Sequence, residues 1–235
     1  MRILIIDNNV DRPWWGASNL RYYGNLMAGA TVITRRGPHD DLPKLKSKRP
    51  LQFDRLIMSG SRTSCLDQAD WITNLDDLVR KTLDDGKPIL GVCYGHQTLA
   101  RVLGGRELLR KSLTSEVGWT LLRQTSECVL TQGLPQEFYS FSSHFEEVHT
   151  LPEGTQHILS SQRCTNQGFQ LKGRPVFGIQ FHPEKTRDEA VNLFKEINPK
   201  TRPDLKDAIL HYNKTDQFYS KKVGETIFSN FLNSK

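Results

Sequence analysis

The stretch ILGVCYGHQTLA, residues 89–100, decides the fold. Four apolar or small residues run into Cys93, with Gly91 two positions before it and Gly95 two after, and a helical pattern follows. The segment reads as a strand, a sharp corner and a helix, with a thiol displayed at the corner. G-x-C-x-G is the cysteine counterpart of the serine nucleophile elbow. Such a corner strains the backbone of the residue it displays, and flanking glycines remove the Cβ atoms that would clash there. The helix N-terminus then brings free N–H groups and the positive end of the helix dipole beneath the sulfur, which favours a thiolate and a developing oxyanion. A buried cysteine at a tight turn is the alternative reading of the same residues.

Outward from this corner, strands and helices alternate. RILIID (2–7) reads as a buried parallel strand, SNLRYYGNLMAG (18–29) as a helix with Ser18 as candidate N-cap, and ATVIT (30–34) as a second strand. RRGPHDDLPKLKSKRP is a polar loop with at most one helical turn. FDRLIMSG (53–60) is a third strand, QADWITNLDDLVRKTLDDG (68–86) an amphipathic helix closed by Gly86, KPILGV (87–92) the fourth strand and 94–105 the next helix. This order predicts an α/β fold: an open, mostly parallel, twisted sheet with helices on both faces, a flavodoxin-like three-layer arrangement. From 106 to 181, short β-like runs such as WTLLR, FYSFSSH and PVFGIQF predict an antiparallel extension of that sheet. Beyond Pro183 the pattern turns helical at 188–197, 205–212 and 224–232. No repeat or long linker divides the chain, so residues 1–235 are expected to form one domain with a C-terminal helical elaboration.

Composition narrows the function. The chain has 235 residues, 37% hydrophobic and 25% charged, with a formal net charge of +6. No apolar run approaches the roughly 18–20 residues that cross a bilayer, and the N-terminus lacks the long apolar core of a signal peptide. A cytoplasmic protein without membrane contact is expected. Cys65, Cys93, Cys128 and Cys164 are widely spaced with no C-x-x-C pair, which argues against a zinc site or a disulfide framework and for free thiols. The basic residues, densest at KLKSKR (44–49) and 195–222, accompany no nucleic-acid-binding motif, so a solvated basic surface is expected, with a docking face for an acidic partner or substrate as the alternative.

A thiol nucleophile wants a histidine base that a third group orients. Of the seven histidines, His182 ends an apolar strand in PVFGIQFHPE, at the strand edge where sites of open α/β sheets lie. Pro183 breaks the strand and Glu184, two residues on, can return to the ring nitrogen that faces away from sulfur. Taken alone, this is also a strand-end histidine beside a solvated glutamate; the two motifs support each other.

Together, GVCYGHQ and QFHPE resemble the class I glutamine amidotransferase family, most like the amidotransferase part of GMP synthetase and free-standing relatives. RILIIDN, MSG (58–60), GRELL…SEVGW (105–119) and SSHFEEVHTLPEG (142–154) fall where that family has its motifs, and GETIFSNFL looks like its closing helix. The resemblance implies that Cys93 attacks the side-chain amide of L-glutamine, that His182 carries the thiol proton to the departing ammonia, that Glu184 orients His182, and that water hydrolyses the thioester. It implies an oxyanion hole from the backbone N–H of Tyr94 and the turn at Gly60 and Ser61. Gln97 and the backbone around Ser143, His144 and Phe145 would hold the glutamine α-groups. His96, between Gly95 and Gln97, reads as a packing or helix-start residue and not a catalytic one. No cofactor or metal is implied. No phosphate-binding loop is present, so any ATP-dependent step belongs to a separate synthetase subunit.

The chain departs from the family in two places. Ser61 and Arg62 stand where the oxyanion turn usually has glycine and proline, which puts the backbone of the hole in question. Residues 187–220 are a helical insertion before the closing helix. The adjacent pair Trp14 and Trp15 suggests either an interface or packing under a loop. These departures keep a second function open, a γ-glutamyl hydrolase or peptidase with the same triad; an inactive binding module is a third.

Overall fold

A computed structural model describes residues 1–11, 16–45, 51–197, 199–200 and 202–234. The Trp14–Trp15 pair and the basic residues 46–49 lie outside the described residues. The strands are β1 (Arg2–Asp7), β2 (Thr31–Arg36), β3 (Arg55–Met58), β4 (Ile89–Val92), β5 (Leu109–Gln124), β6 (Glu137–Val148), β7 (Thr155–Ser160), β8 (Gly168–Leu171), β9 (Val176–Ile179) and β10 (Ile209–Leu210). The α-helices are α1 (Ala17–Asn25), α2 (Asp70–Asp84), α3 (Tyr94–Gly104), α4 (Arg187–Glu196), α5 (Thr215–Phe218) and α6 (Lys221–Asn233).

All ten strands join one sheet in the order β10-β5-β7-β8-β9-β4-β3-β1-β2, with β6 paired to β5. From β2 to β9 the pairing is parallel; from β9 through β8, β7, β5 and β6 it is antiparallel. The expected parallel core and antiparallel extension are both present. β1 shows why three layers form. Its side chains alternate between faces, so Ile3 and Ile5 pack with Leu20 and Tyr23 of α1 and with Ile227, Phe228 and Phe231 of α6. Leu4 and Ile6 meet Leu75, Leu78 and Val79 of α2 and Leu99 and Ala100 of α3 on the other face. Buried on both sides, the parallel strands must read as continuous apolar runs, as RILII does. α1 begins at Ala17 with Gly16 as its cap position and no side-chain cap, so Ser18 lies inside the helix.

The 187–220 segment differs most from expectation. α4 forms as predicted, started by a capping box in which the Thr186 side chain accepts from the Glu189 backbone N–H and Glu189 bonds back. The helix expected over 205–212 is absent: a 3₁₀ turn at Pro203–Leu205 leads into β10, which pairs in parallel with Val117 and Gly118 of β5. Tertiary contact overrides the amphipathic spacing of LKDAILHY. Gly118 has φ 133°, and the carbonyl oxygen of Leu210 occupies the space a Cβ there would need. Around this pairing Trp119, Phe141, Phe194 and Tyr212 pack with Tyr139, Phe218 and Tyr219. Trp119 Nε1 donates to Thr215 Oγ1 at 3.1 Å. The segment from α4 to α5 is thereby fixed to the outer sheet.

Candidate active site

Cys93 sits between β4 and α3 with φ 50° and ψ −101°, a left-handed backbone unfavourable for a residue with a Cβ. The glycines on either side are there for space. A Cβ on Gly91 would overlap the Gly95 carbonyl, and one on Gly95 would stand 2.7 Å from the Met58 oxygen. α3 therefore starts directly against β3 and β4. The Cys93 N–H donates to Ile179 O at 2.8 Å, which ties the corner to β9.

β9 delivers His182. Its N–H donates to Phe141 O at 2.7 Å, a bridge that holds the residue against β6. Its Nδ1 lies 2.7 Å from Glu184 Oε1, with both side chains 6% exposed. Burial lowers the imidazole's affinity for a proton, but the Glu184 carboxylate and the Cys93 sulfur together outweigh it, and the His182 pKa is raised to about 10. A Cβ placed on Gly60 would stand 2.7 Å from His182 Cε1 and 3.4 Å from Cys93 Cβ. Gly60 thus lies where imidazole and nucleophile converge.

The departure at Ser61 is accommodated. Among the described residues, non-glycine positive φ angles occur at Asp40, Cys93, His211 and Asn213, not at Ser61. The turn needs no glycine there. Ser61 Oγ instead donates to Asn8 O at 2.8 Å and accepts from Thr63 N at 3.0 Å. Asn8 Nδ2 donates to Ser59 O and Asn9 Nδ2 to Gly60 O, at 2.9 and 3.2 Å. Residues after β1 therefore fix the turn after β3.

Cys93 opens onto a cavity of about 390 Å³ that is also lined by Ser61, Gln97, Ser143, His144 and Phe145. The structure brings these expected residues together. Tyr94, next to the nucleophile in sequence, is not part of the cavity lining: its ring is buried, 5.9 Å from that of Trp71. The His144 ring turns away from the sulfur, with Nδ1 3.1 Å from Glu146 O and Nε2 2.9 Å from Glu116 Oε2. Glu116 also accepts from Ser161 Oγ at 2.7 Å and Gln167 Nε2 at 2.5 Å. Cys164 lies beside this pair, and the hydrogen bonds account for both Glu116 oxygens. His96 is fully buried, its ring centroid 5.0 Å from that of Phe169, and burial lowers its pKa to about 3. It packs as a neutral ring.

Several site residues escaped sequence reasoning. Glu146 also lines the cavity. It accepts from the Ser64 hydroxyl and, at 2.7 Å, from Cys65 N, pinning the loop after β3 to β6. Leu193 and Ile197 at the end of α4, with Arg202 and Leu205, also line the cavity, so the segment after β9 contributes part of its wall. Lys185 is buried beside the triad with Nζ 5.7 Å from the Phe141 ring centre. Burial lowers its pKa against the opposing pull of Glu189 and Glu184. Only Gln180 had a usable signal: period-two alternation puts it on the same strand face as His182.

A thiol at a strained corner, an imidazole held by a buried carboxylate and a cavity at the sulfur define a cysteine amidohydrolase site. The sequence matches the glutamine amidotransferase class-I family over residues 19–197, and the chain belongs to that family. It is 35% identical over 190 residues to a glutamine-hydrolyzing GMP synthase subunit of Methanocaldococcus jannaschii, covering 81% of this chain and 92% of that one. The corresponding GMP synthase subunit of Saccharolobus solfataricus is 33% identical over 180 residues, 76% of this chain and 87% of that one. A crystal structure of a glutamine amido transferase from Methylobacillus flagellatus superposes with a TM-score of 0.77 at 21% identity, over 98% of this chain and 94% of that one. At that identity the likeness is one of fold. Among the described residues, no helix is long and apolar enough to cross a membrane.

Proposed function

We propose that this chain is the glutamine-hydrolysing subunit of a two-polypeptide GMP synthase, releasing ammonia for a separate ATP-dependent synthetase subunit. The observation that carries the reading is the convergence of Cys93 and His182 at Gly60, with Glu184 behind His182 at 2.7 Å. Cys93 Sγ attacks the glutamine side-chain carbonyl carbon. The proton that the thiol gives up to His182 passes to the amide nitrogen as the C–N bond breaks and ammonia leaves. Water then attacks the thioester, glutamate departs and the thiol is restored. The Tyr94 N–H and the Gly60–Ser61 turn receive the oxyanion. Gln97 and the Ser143–Phe145 backbone hold the α-groups of glutamine. Residues 1–235 act as one amidotransferase domain, with 187–220 as an insertion that shapes the cavity wall. The cytosol suits the four free cysteines. The relatives' names favour glutamine over a larger γ-glutamyl compound.

The test is ammonia and glutamate release from L-glutamine, measured for the protein by itself and again with an added synthetase subunit. Cys93→Ala is expected to abolish release and leave the fold intact. Parental activity in that variant would sink the proposal.

A further inference from the structure

Gln180 is completely buried, and a buried amide is costly unless both of its ends are bonded. Its Oε1 accepts from Gln97 Nε2 at 3.1 Å, and its Nε2 donates to Cys93 Sγ at 3.4 Å. The network itself fixes the amide's orientation. Gln97 Nε2 also reaches Glu146 O at 2.9 Å, and a carbonyl only accepts, so nitrogen must occupy that end of Gln97. Its second hydrogen meets Gln180 Oε1, which leaves the Gln180 NH₂ group to face the sulfur. The fold makes this placement firm. Val92 and Ile179 are register partners in the β4–β9 pair, so Cys93 and Gln180 follow side by side, and the Gln180 N–H donates to Gln167 O at 2.9 Å.

We propose that Gln180 is a further catalytic residue, donating a hydrogen bond to the Cys93 sulfur and stabilising it as a thiolate. The proposal rests on the reading of Cys93 as nucleophile. A neutral thiol accepts weakly and a thiolate strongly. The bond therefore strengthens as the proton leaves for His182 and strengthens again when thioester hydrolysis expels the sulfur. The Ser143 carbonyl, 3.9 Å from Sγ, is an acceptor and can serve only the protonated thiol. Gln97 thus has a part besides facing substrate: it holds Gln180 in line with the sulfur.

The experiment is the pH dependence of Cys93 alkylation by iodoacetamide in the full chain, followed by mass spectrometry of the Cys93 peptide. Gln180→Met removes the donor at similar volume. Gln180→Glu keeps an oxygen for Gln97 but turns a carboxylate towards sulfur. The other ionisable groups around the sulfur are His182 with Glu184 behind it, Lys185 and Cys65, and Arg62, His144 and Glu146 line the cavity it opens onto. They are the same in all three proteins, so a difference in midpoint reports Gln180. Gln180→Met is expected to raise the midpoint by about one pH unit, the size of a hydrogen bond to a charged group. Gln180→Glu should raise it at least as far. Midpoints equal to the parent's in both variants overturn the proposal. The readout needs no turnover, so its failure is distinct from the failure of the nucleophile reading, which shows as ammonia release by Cys93→Ala.

Discussion

Gly60 meets His182 so closely that no other residue fits between them: a Cβ at position 60 would stand 2.7 Å from His182 Cε1. The neighbouring atom belongs to a ring that Glu184 holds at Nδ1, on a residue whose backbone N–H is fixed to the Phe141 carbonyl. The ring cannot retreat without leaving the nucleophile. Gly60→Ala is therefore expected to lower kcat by roughly a hundredfold, the cost of about 1 Å of misplacement, with a far smaller effect on stability. Steady-state ammonia release together with urea unfolding checks both halves.

Glu184 gives a second prediction. Glu184→Gln keeps the shape but removes the charge that holds His182 protonated. Glutaminase turnover should fall by about two orders of magnitude or more. Its alkaline limb should also move to lower pH, because the carboxylate is the largest influence raising the His182 pKa. A pH–rate profile identical to the parent's would count against the orienting role.

His182 also links stability to pH. Its pKa is 6.5 in the unfolded chain and about 10 when folded, so the folded state binds the proton more tightly. The resulting stability is complete below pH 6.5 and fades as pH rises towards 10. The stability difference between the parent and His182→Asn, from urea unfolding, is expected to shrink across that window. A constant difference would contradict it.

Asp76 and Arg101 form a buried ion pair at 2.7 Å between α2 and α3, and Arg101 also donates to Cys65 O at 3.2 Å. Removing one partner leaves the other charge uncompensated. Asp76→Ala should destabilise the protein by about 3–5 kcal/mol, read as a lower urea midpoint at unchanged m-value.

Gly118→Ala tests the seat of β10 on β5. A Cβ there meets the Leu210 carbonyl, at a backbone φ that favours glycine. A loss of about 2 kcal/mol is expected. The KM for glutamine should rise as well, since Leu193 and Ile197 wall the cavity from the same segment. Parental KM and stability would show that β10 is dispensable.

What could be read from sequence was what neighbours in sequence enforce. The elbow is visible in sequence because Gly91, Cys93 and Gly95 lie within five residues, although the atom that Gly95 makes room for belongs to Met58. His182 and Glu184 are two residues apart, so their contact is local. Gln180 and Glu146 act through partners 87 and 81 residues away, the Cys93 sulfur and the Cys65 amide; alternation along the strand places Gln180 on the face of His182 but does not show the sulfur as its partner, and nothing around Glu146 shows its own. The mistaken helix at 205–212 has the same origin. Its amphipathic spacing is real, but the deciding contact is with Gly118, remote in the chain. Ser61 taught the converse: a glycine usual at that place is not required, because the turn keeps an ordinary φ.

β10 carries one more consequence. It has only two residues, and His211 and Asn213 follow it with φ of 53° and 60°, so the strand ends as soon as it has covered Val117 and Gly118. An exposed sheet edge invites pairing with another molecule. Here the Val117 N–H is already engaged by Ala208 O at 2.9 Å, and the cover is too short and too abruptly bent to template a further strand. The segment that walls the cavity is thus also a guard against self-association, and trimming it should expose the protein to aggregation before it costs the triad its geometry.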